Sequence, residues 1–150
     1  MQNSTDILIA EDDKGVAGVI ISAIQDISPS SKVQHFSSGL LASNFIHEHR
    51  PRSIILDLML PGKDGVTLLK EIRRHPNVCE TPVVVMTGIW EHDIEMECRA
   101  LGVLEFVKKP DGFEDLERIV RRLVMCVVRD ILGRSLVAMK DFHRKEAVNA

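Results

Sequence analysis

Three carboxylates in a row, Glu11-Asp12-Asp13, follow the apolar run Ile7-Leu8-Ile9-Ala10 with no spacer. Asp57 closes a second apolar run that begins at Ser53, Thr87 closes Val83-Val84-Val85-Met86, and Lys109 follows Phe106-Val107-Lys108. Brought together, these groups have a defined chemistry. Crowded carboxylates repel one another unless a cation shares them. An all-oxygen donor set suits a hard ion such as Mg²⁺, which keeps several waters and takes one or two carboxylates plus a phosphate oxygen. A carboxylate such as Asp57 can attack phosphorus and form an acyl phosphate. The negative charge on the equatorial oxygens of the transferring group then calls for an ammonium, Lys109, and a hydroxyl donor, Thr87.

Whether they meet depends on the elements that carry them. Val16, Val19, Ile20, Ala23, Ile24 and Ile27 recur at three and four residues, one face of a helix that Ser28-Pro29 ends. Lys32 to Phe36 reads as a strand, followed by a helix with Leu40, Leu41, Phe45 and Ile46. Ser53 to Asp57 is the third strand, and Val66, Leu69 and Ile72 mark a helix that stops before Pro76. Pro82 opens the strand ending at Thr87; a helix with Ile94, Cys98 and Leu101 comes next, and Gly102 separates it from a strand over Val103 to Val107. Asp111 and Glu114 are spaced as a capping box for the last helix. Strands this apolar belong in a parallel sheet covered on both faces. Right-handed crossovers make it doubly wound, and ligands then bind beyond the carboxyl ends of the strands. All the polar residues named above lie at such ends.

The whole pattern resembles the receiver domain of two-component response regulators. The resemblance rests on the acidic cluster after Ile7 to Ala10, on Asp57-x-x-x-Pro61-x-x-x-Gly65, on Thr87-Gly88, on Ala100-Leu101-Gly102 and on Phe106-Val107-Lys108-Lys109-Pro110, and it spans roughly residues 5 to 127. It implies a flavodoxin-like (βα)5 fold with strand order 2-1-3-4-5. It further implies that a sensor histidine kinase or phosphotransfer protein donates a phosphoryl group to Asp57. Mg²⁺ would be held by Asp12, Asp57 and the Met59 backbone carbonyl, with Glu11 acting through water. Thr87 and Lys109 would close on the phosphoryl group, and Phe106 would swing inward behind Thr87. The family uses two acids where this chain has three. Counting from the last apolar strand residue favours Glu11 and Asp12, with Asp13 as a helix N-cap, over the pair Asp12 and Asp13. On this reading the chain is no enzyme beyond making and losing its own phosphoryl group. The competing class, a Mg²⁺-dependent phosphohydrolase, would place its nucleophile after the first strand in an Asp-x-Asp motif; here Asp57 ends the third and is followed by Leu58-Met59.

Composition narrows the partners. A net charge of −3 across 150 residues gives no electrostatic footprint for nucleic acid. Cys79, Cys98 and Cys126 show no ligand or disulfide spacing and read as free thiols of a cytoplasmic protein. No run approaches a membrane span, and MQNSTDILIA lacks the form of a signal peptide. The six histidines form no ligand pattern. A domain over residues 1–127 leaves 128–150 as a helical extension in which Met125, Val128, Leu132, Leu136 (or Ser135), Met139 and Phe142 continue the helical period. Such a stripe either folds back on its own domain, pairs with a second copy, or leads into an output module missing from this chain.

Overall fold

The three most apolar runs become the three inner strands of one parallel sheet. A computed structural model describes residues 5–149 and gives β1(Ile7–Ala10), α1(Lys14–Ile27), β2(Val33–Phe36), α2(Gly39–His49), β3(Ser53–Leu56), α3(Gly65–Arg74), β4(Val83–Thr87), α4(His92–Ala100), β5(Glu105–Lys108) and α5(Phe113–Asn149). The strand order is β2-β1-β3-β4-β5, the doubly wound order that the resemblance implied, with a long C-terminal helix. Every residue of β1, β3 and β4 is buried, while β2 and β5, at the edges, are partly open.

Strand alternation sorts the core into two halves. Leu8, Ala10, Ile54, Leu56, Val83 and Val85 face α2, α3 and α4 through Ala42, Ile46, Leu68, Leu69, Ile72 and Cys98. Ile7, Ile9, Ile55, Val84 and Met86 face α1 and α5 through Ile20, Ala23, Ile24, Val120, Leu123, Val124 and Val127. Each fully buried Ile or Leu contributes about 1.5–3 kcal/mol relative to exposure, so this packing fixes the register that positions the strand ends. Among the described residues, no helix is long and apolar enough to cross a membrane.

The structure departs from the sequence reading in two places, the cap of α5 and the start of β5. Asp13, Ser38 and Asp64 cap α1, α2 and α3 with their side chains, but α5 begins without the expected capping box. The Gly112 carbonyl accepts the first helical N–H, from Leu116, so the cap falls at Gly112 and not at Asp111. The fifth strand starts at Glu105 rather than Val103, because Gly102 (φ +73°) and Val103 are spent in closing the end of α4, where Val103 N–H returns to the Cys98 carbonyl. Helix α2 turns Ala42 and Ile46 inward and leaves Leu40 and Leu41 exposed. Its first residue, Gly39, lies so close to the Lys63 backbone that a β-carbon there would meet the Lys63 carbonyl oxygen at 1.8 Å. As the continued helical period led one to expect, α5 is continuous through the domain and its extension, and Val127 is its last buried residue.

Candidate functional site

Register brings the chemistry together. Ala10 pairs with Phe36 on one side and Leu56 on the other, so Glu11 and Asp57, each one residue further on, stand side by side. Their amides continue the ladders, Glu11 N–H to the Phe36 carbonyl and Asp57 N–H to the Ala10 carbonyl. Thr87 pairs with Lys108, and the Thr87 carbonyl accepts from Lys109 N–H at 2.8 Å. Four chain segments thus bring their polar side chains to one edge of the sheet.

One carboxylate oxygen from each of Glu11, Asp12 and Asp57 lies within 4.8 Å of the others. Glu11 and Asp57 are buried and Asp12 is exposed. Lys109 Nζ donates to Glu11 Oε1 at 2.9 Å and to Asp57 Oδ2 at 2.8 Å. The other Asp57 oxygen, Oδ1, accepts from Met59 N–H at 3.1 Å, which fixes the plane of the carboxylate. Asp13 turns away from the cluster: its Oδ1 accepts from Gly15 and Val16 N–H as the α1 cap, while its own N–H donates to Glu11 Oε1. Thr87 is fully buried and its Oγ1 accepts from Ile89 N–H. Phe106 is buried among the apolar side chains beneath α2, α3 and α4. The Met59 side chain is exposed.

Charge sets the character of the pocket. Burial pushes the Glu11 carboxyl up to about 7, and the nearby Asp57 charge adds to this, against the lowering pull of the Lys109 hydrogen bond. Burial disfavours the Lys109 ammonium, yet its hydrogen bonds to Asp57 and Glu11 outweigh that and raise its pKa. Glu11 and Asp57 share one ammonium with Asp12 beside them, and this cluster of hard oxygen donors fits a divalent cation.

Residues to which the sequence reading gave no role of their own also shape the site. His35 Nε2 donates to the Glu11 carbonyl at 2.8 Å, steadying the start of the acidic loop. A β-carbon on Gly65 would meet the Asp57 carbonyl oxygen and Leu58 Cα at 2.5 Å each. Gly65 therefore allows the start of α3 to press against the backbone that carries Asp57. The only sequence signal for His35 is its place near the end of β2; for Gly65 it is the fixed spacing from Asp57.

The sequence model of the response regulator receiver domain matches residues 7–121. The chain belongs to this family. Response regulator Rcp1 of Synechocystis sp. is 31% identical over 126 residues, covering 77% of this chain and 83% of Rcp1. The probable methanogenesis regulatory protein FilR2 of Methanothrix harundinacea is 30% identical over 123 residues, covering 78% and 79%. With the cyclic di-GMP phosphodiesterase response regulator RpfG of Xanthomonas campestris pv. campestris the identity is 29%, over 69% of this chain but only 28% of RpfG. Among solved structures, the Mn(2+)-bound form of Rcp1 superimposes with a TM-score of 0.75 at 28% identity, over 79% of this chain and 91% of the other. The phosphorylated cyanobacterial phytochrome response regulator RcpA gives 0.74 at 28%, over 80% and 91%. The chain thus spans most of the length of Rcp1 and FilR2 but little more than a quarter of RpfG.

Proposed function

We propose that Asp57 of this receiver domain accepts a phosphoryl group from the phosphohistidine of a sensor histidine kinase or phosphotransfer protein. The donor's P–N bond breaks as the P–O bond to Asp57 forms, and the imidazole leaves with the nitrogen lone pair. The observation that carries this reading is the setting of the Asp57 carboxylate: buried, one oxygen held by Met59 N–H, the other by the Lys109 ammonium. Lys109 is placed to follow charge from the carboxylate to the phosphoryl oxygens, and the Thr87 hydroxyl to donate to another of them. Asp12, Asp57 and the Met59 carbonyl, with Glu11 acting through water, would hold Mg²⁺, which when bound offsets charge on the transferring group. The Mn²⁺-bound form of Rcp1 and the phosphorylated form of RcpA support both halves of this reading. The chain turns over nothing but its own phosphoaspartate, in the cytoplasm, and switches the contacts of a partner or of an output domain beyond this chain.

Incubation with labelled acetyl phosphate tests the proposal. Label is expected only with Mg²⁺, in an acid-stable, hydroxylamine-labile form; absence of label in the presence of Mg²⁺ would overturn it. Met59 and Ile89, two residues beyond Asp57 and Thr87, carry no group able to orient an attacking water. The label is therefore expected to persist for minutes or longer once excess donor and Mg²⁺ are removed, as a timed chase would show; decay within seconds contradicts it.

Glu11 makes cation binding depend on pH. Its folded pKa, near 7, lies above the ordinary carboxyl value because of burial. Its contribution to stability is therefore complete below the ordinary value and lost as pH rises through about 7. A divalent cation needs the ionised form, so it recovers this loss at high pH and competes with a proton at low pH. Mg²⁺ is expected to raise the melting temperature more at pH 8 than at pH 6, with apparent affinity falling up to about tenfold per pH unit below 7. A Mg²⁺ effect independent of pH, measured by thermal shift, would contradict the placement of Glu11 at the cation.

A further inference from the structure

Beyond Val127, α5 presents apolar side chains that no described part of the chain covers. Leu132 and Leu136 are 58% exposed and Met139 57%. At about 100° per residue, these three fall within about 60° of one another, and Met125 and His143 share the stripe, while Val128 and Ile131 at its near end still pack against the domain. The side of α5 that packs on the sheet, around Val120, Val124 and Val127, lies about 110° away. From Leu132 onward the stripe therefore turns away from that packed side and stays exposed. Asp130, Arg134, Asp141, Arg144 and Lys145 lie on the far side of the helix, and Arg134 is already paired with Asp130 at 2.9 Å.

We propose that the α5 extension pairs antiparallel with the same segment of a second copy of this chain. Residues 129, 132, 136, 139, 143 and 146 are spaced 3-4-3-4-3, a pattern that reads the same from both ends. A two-fold antiparallel pair requires this, since each residue must meet its counterpart across the axis. Leu136 then faces the second copy's Met139, Leu132 faces His143, and Arg129 faces Glu146, each contact occurring twice. A parallel pair would set Arg129 against Arg129 and Glu146 against Glu146, so the end charges select the antiparallel orientation. The segment from Arg129 to Glu146 is about 27 Å long, and two such helices bury roughly 1,000 Å² in all, the low end for a specific interface. The pairing is thus reversible and falls in the micromolar range. It also gives a projecting helix, marginal in water by itself, the partner it needs.

Sedimentation equilibrium on the full chain across the micromolar range tests this, with circular dichroism to show that each variant is folded. The average mass is expected to climb from 16.8 kDa towards twice that value as concentration rises. Leu136→Glu, which sets two carboxylates against Met139, should weaken association by at least about a hundredfold. Arg129→Glu and Glu146→Arg should each weaken it about tenfold, and the double substitution should restore it. A single-copy mass at every concentration overturns the proposal and leaves the stripe to an attached module. Association indifferent to Leu136→Glu overturns it too, and single charge variants without effect overturn the antiparallel orientation.

Discussion

Asp57→Asn is expected to reduce phosphoryl labelling to background while leaving the domain folded. The carboxylate offers an anionic oxygen that can bond to phosphorus; the amide that replaces it has no comparable nucleophile. The substitution is close to isosteric. The amide oxygen can still accept from either Lys109 Nζ or Met59 N–H, the two donors now on Asp57. One donor then faces an NH₂ group, a loss of about 1 kcal/mol. Against this, removal of the Asp57 charge relieves Glu11, whose carboxyl is raised in part by that neighbour. The net change in melting temperature should be small, and the Mg²⁺-induced rise should shrink because the oxygen cluster of Glu11, Asp12 and Asp57 loses one carboxylate. Labelling with acetyl phosphate beside a thermal melt separates the two effects. Undiminished label on the Asp57→Asn variant would show that another residue accepts the phosphoryl group and would sink the assignment.

Gly65→Ala is expected to be the most damaging single methyl in the neighbourhood of the site. The added carbon would stand 2.5 Å from both the Asp57 carbonyl oxygen and Leu58 Cα, and these are backbone atoms that cannot rotate away. The Gly65 amide also donates to the Leu58 carbonyl at 2.8 Å, so α3 cannot retreat without losing that bond. Overpacking of this kind costs about 1–3 kcal/mol, a fall in melting temperature of roughly 3–10 °C for a domain of this size. Relief of the clash must displace Asp57 itself. A shift near 1 Å at a reacting group can cost on the order of a hundredfold in rate, so labelling per folded molecule should fall as well. Gly18→Ala is the control. A β-carbon there meets nothing within 4 Å, and in the middle of α1 it should stabilise by about 0.5–1 kcal/mol. Equal melts for the two variants would show that the close approach at Gly65 does not exist in solution.

The local signals were sound where they depended on neighbours in sequence. The order of strands and helices follows from apolar runs of four or five residues alternating with three- and four-residue spacing, because each pattern is tied to one backbone period. The Asp13 cap was legible for the same reason: a carboxylate directly before a helical face has donors two and three residues on. Even the acids at the strand ends could be assigned to one pocket, given a parallel sheet. The misses were local competitions settled from outside. Val103 has the composition of a strand but is used to close α4, and α5 is capped at Gly112 rather than at Asp111.

The apolar periods, the order of the elements and the types of the reacting groups were therefore written in the sequence, since each depends on residues a few positions apart. What the tertiary structure alone decided is how those groups act on one another. Lys109 bridges Glu11 and Asp57 from 98 and 52 positions away, and Glu11 holds its proton up to about pH 7 because of what surrounds it. Gly65 matters for the backbone it must pass, and the α5 stripe matters because the domain's packed side lies elsewhere on the helix. Each of these depends on burial and on distances between segments remote in the chain, and such quantities exist only once the whole sheet has set its register.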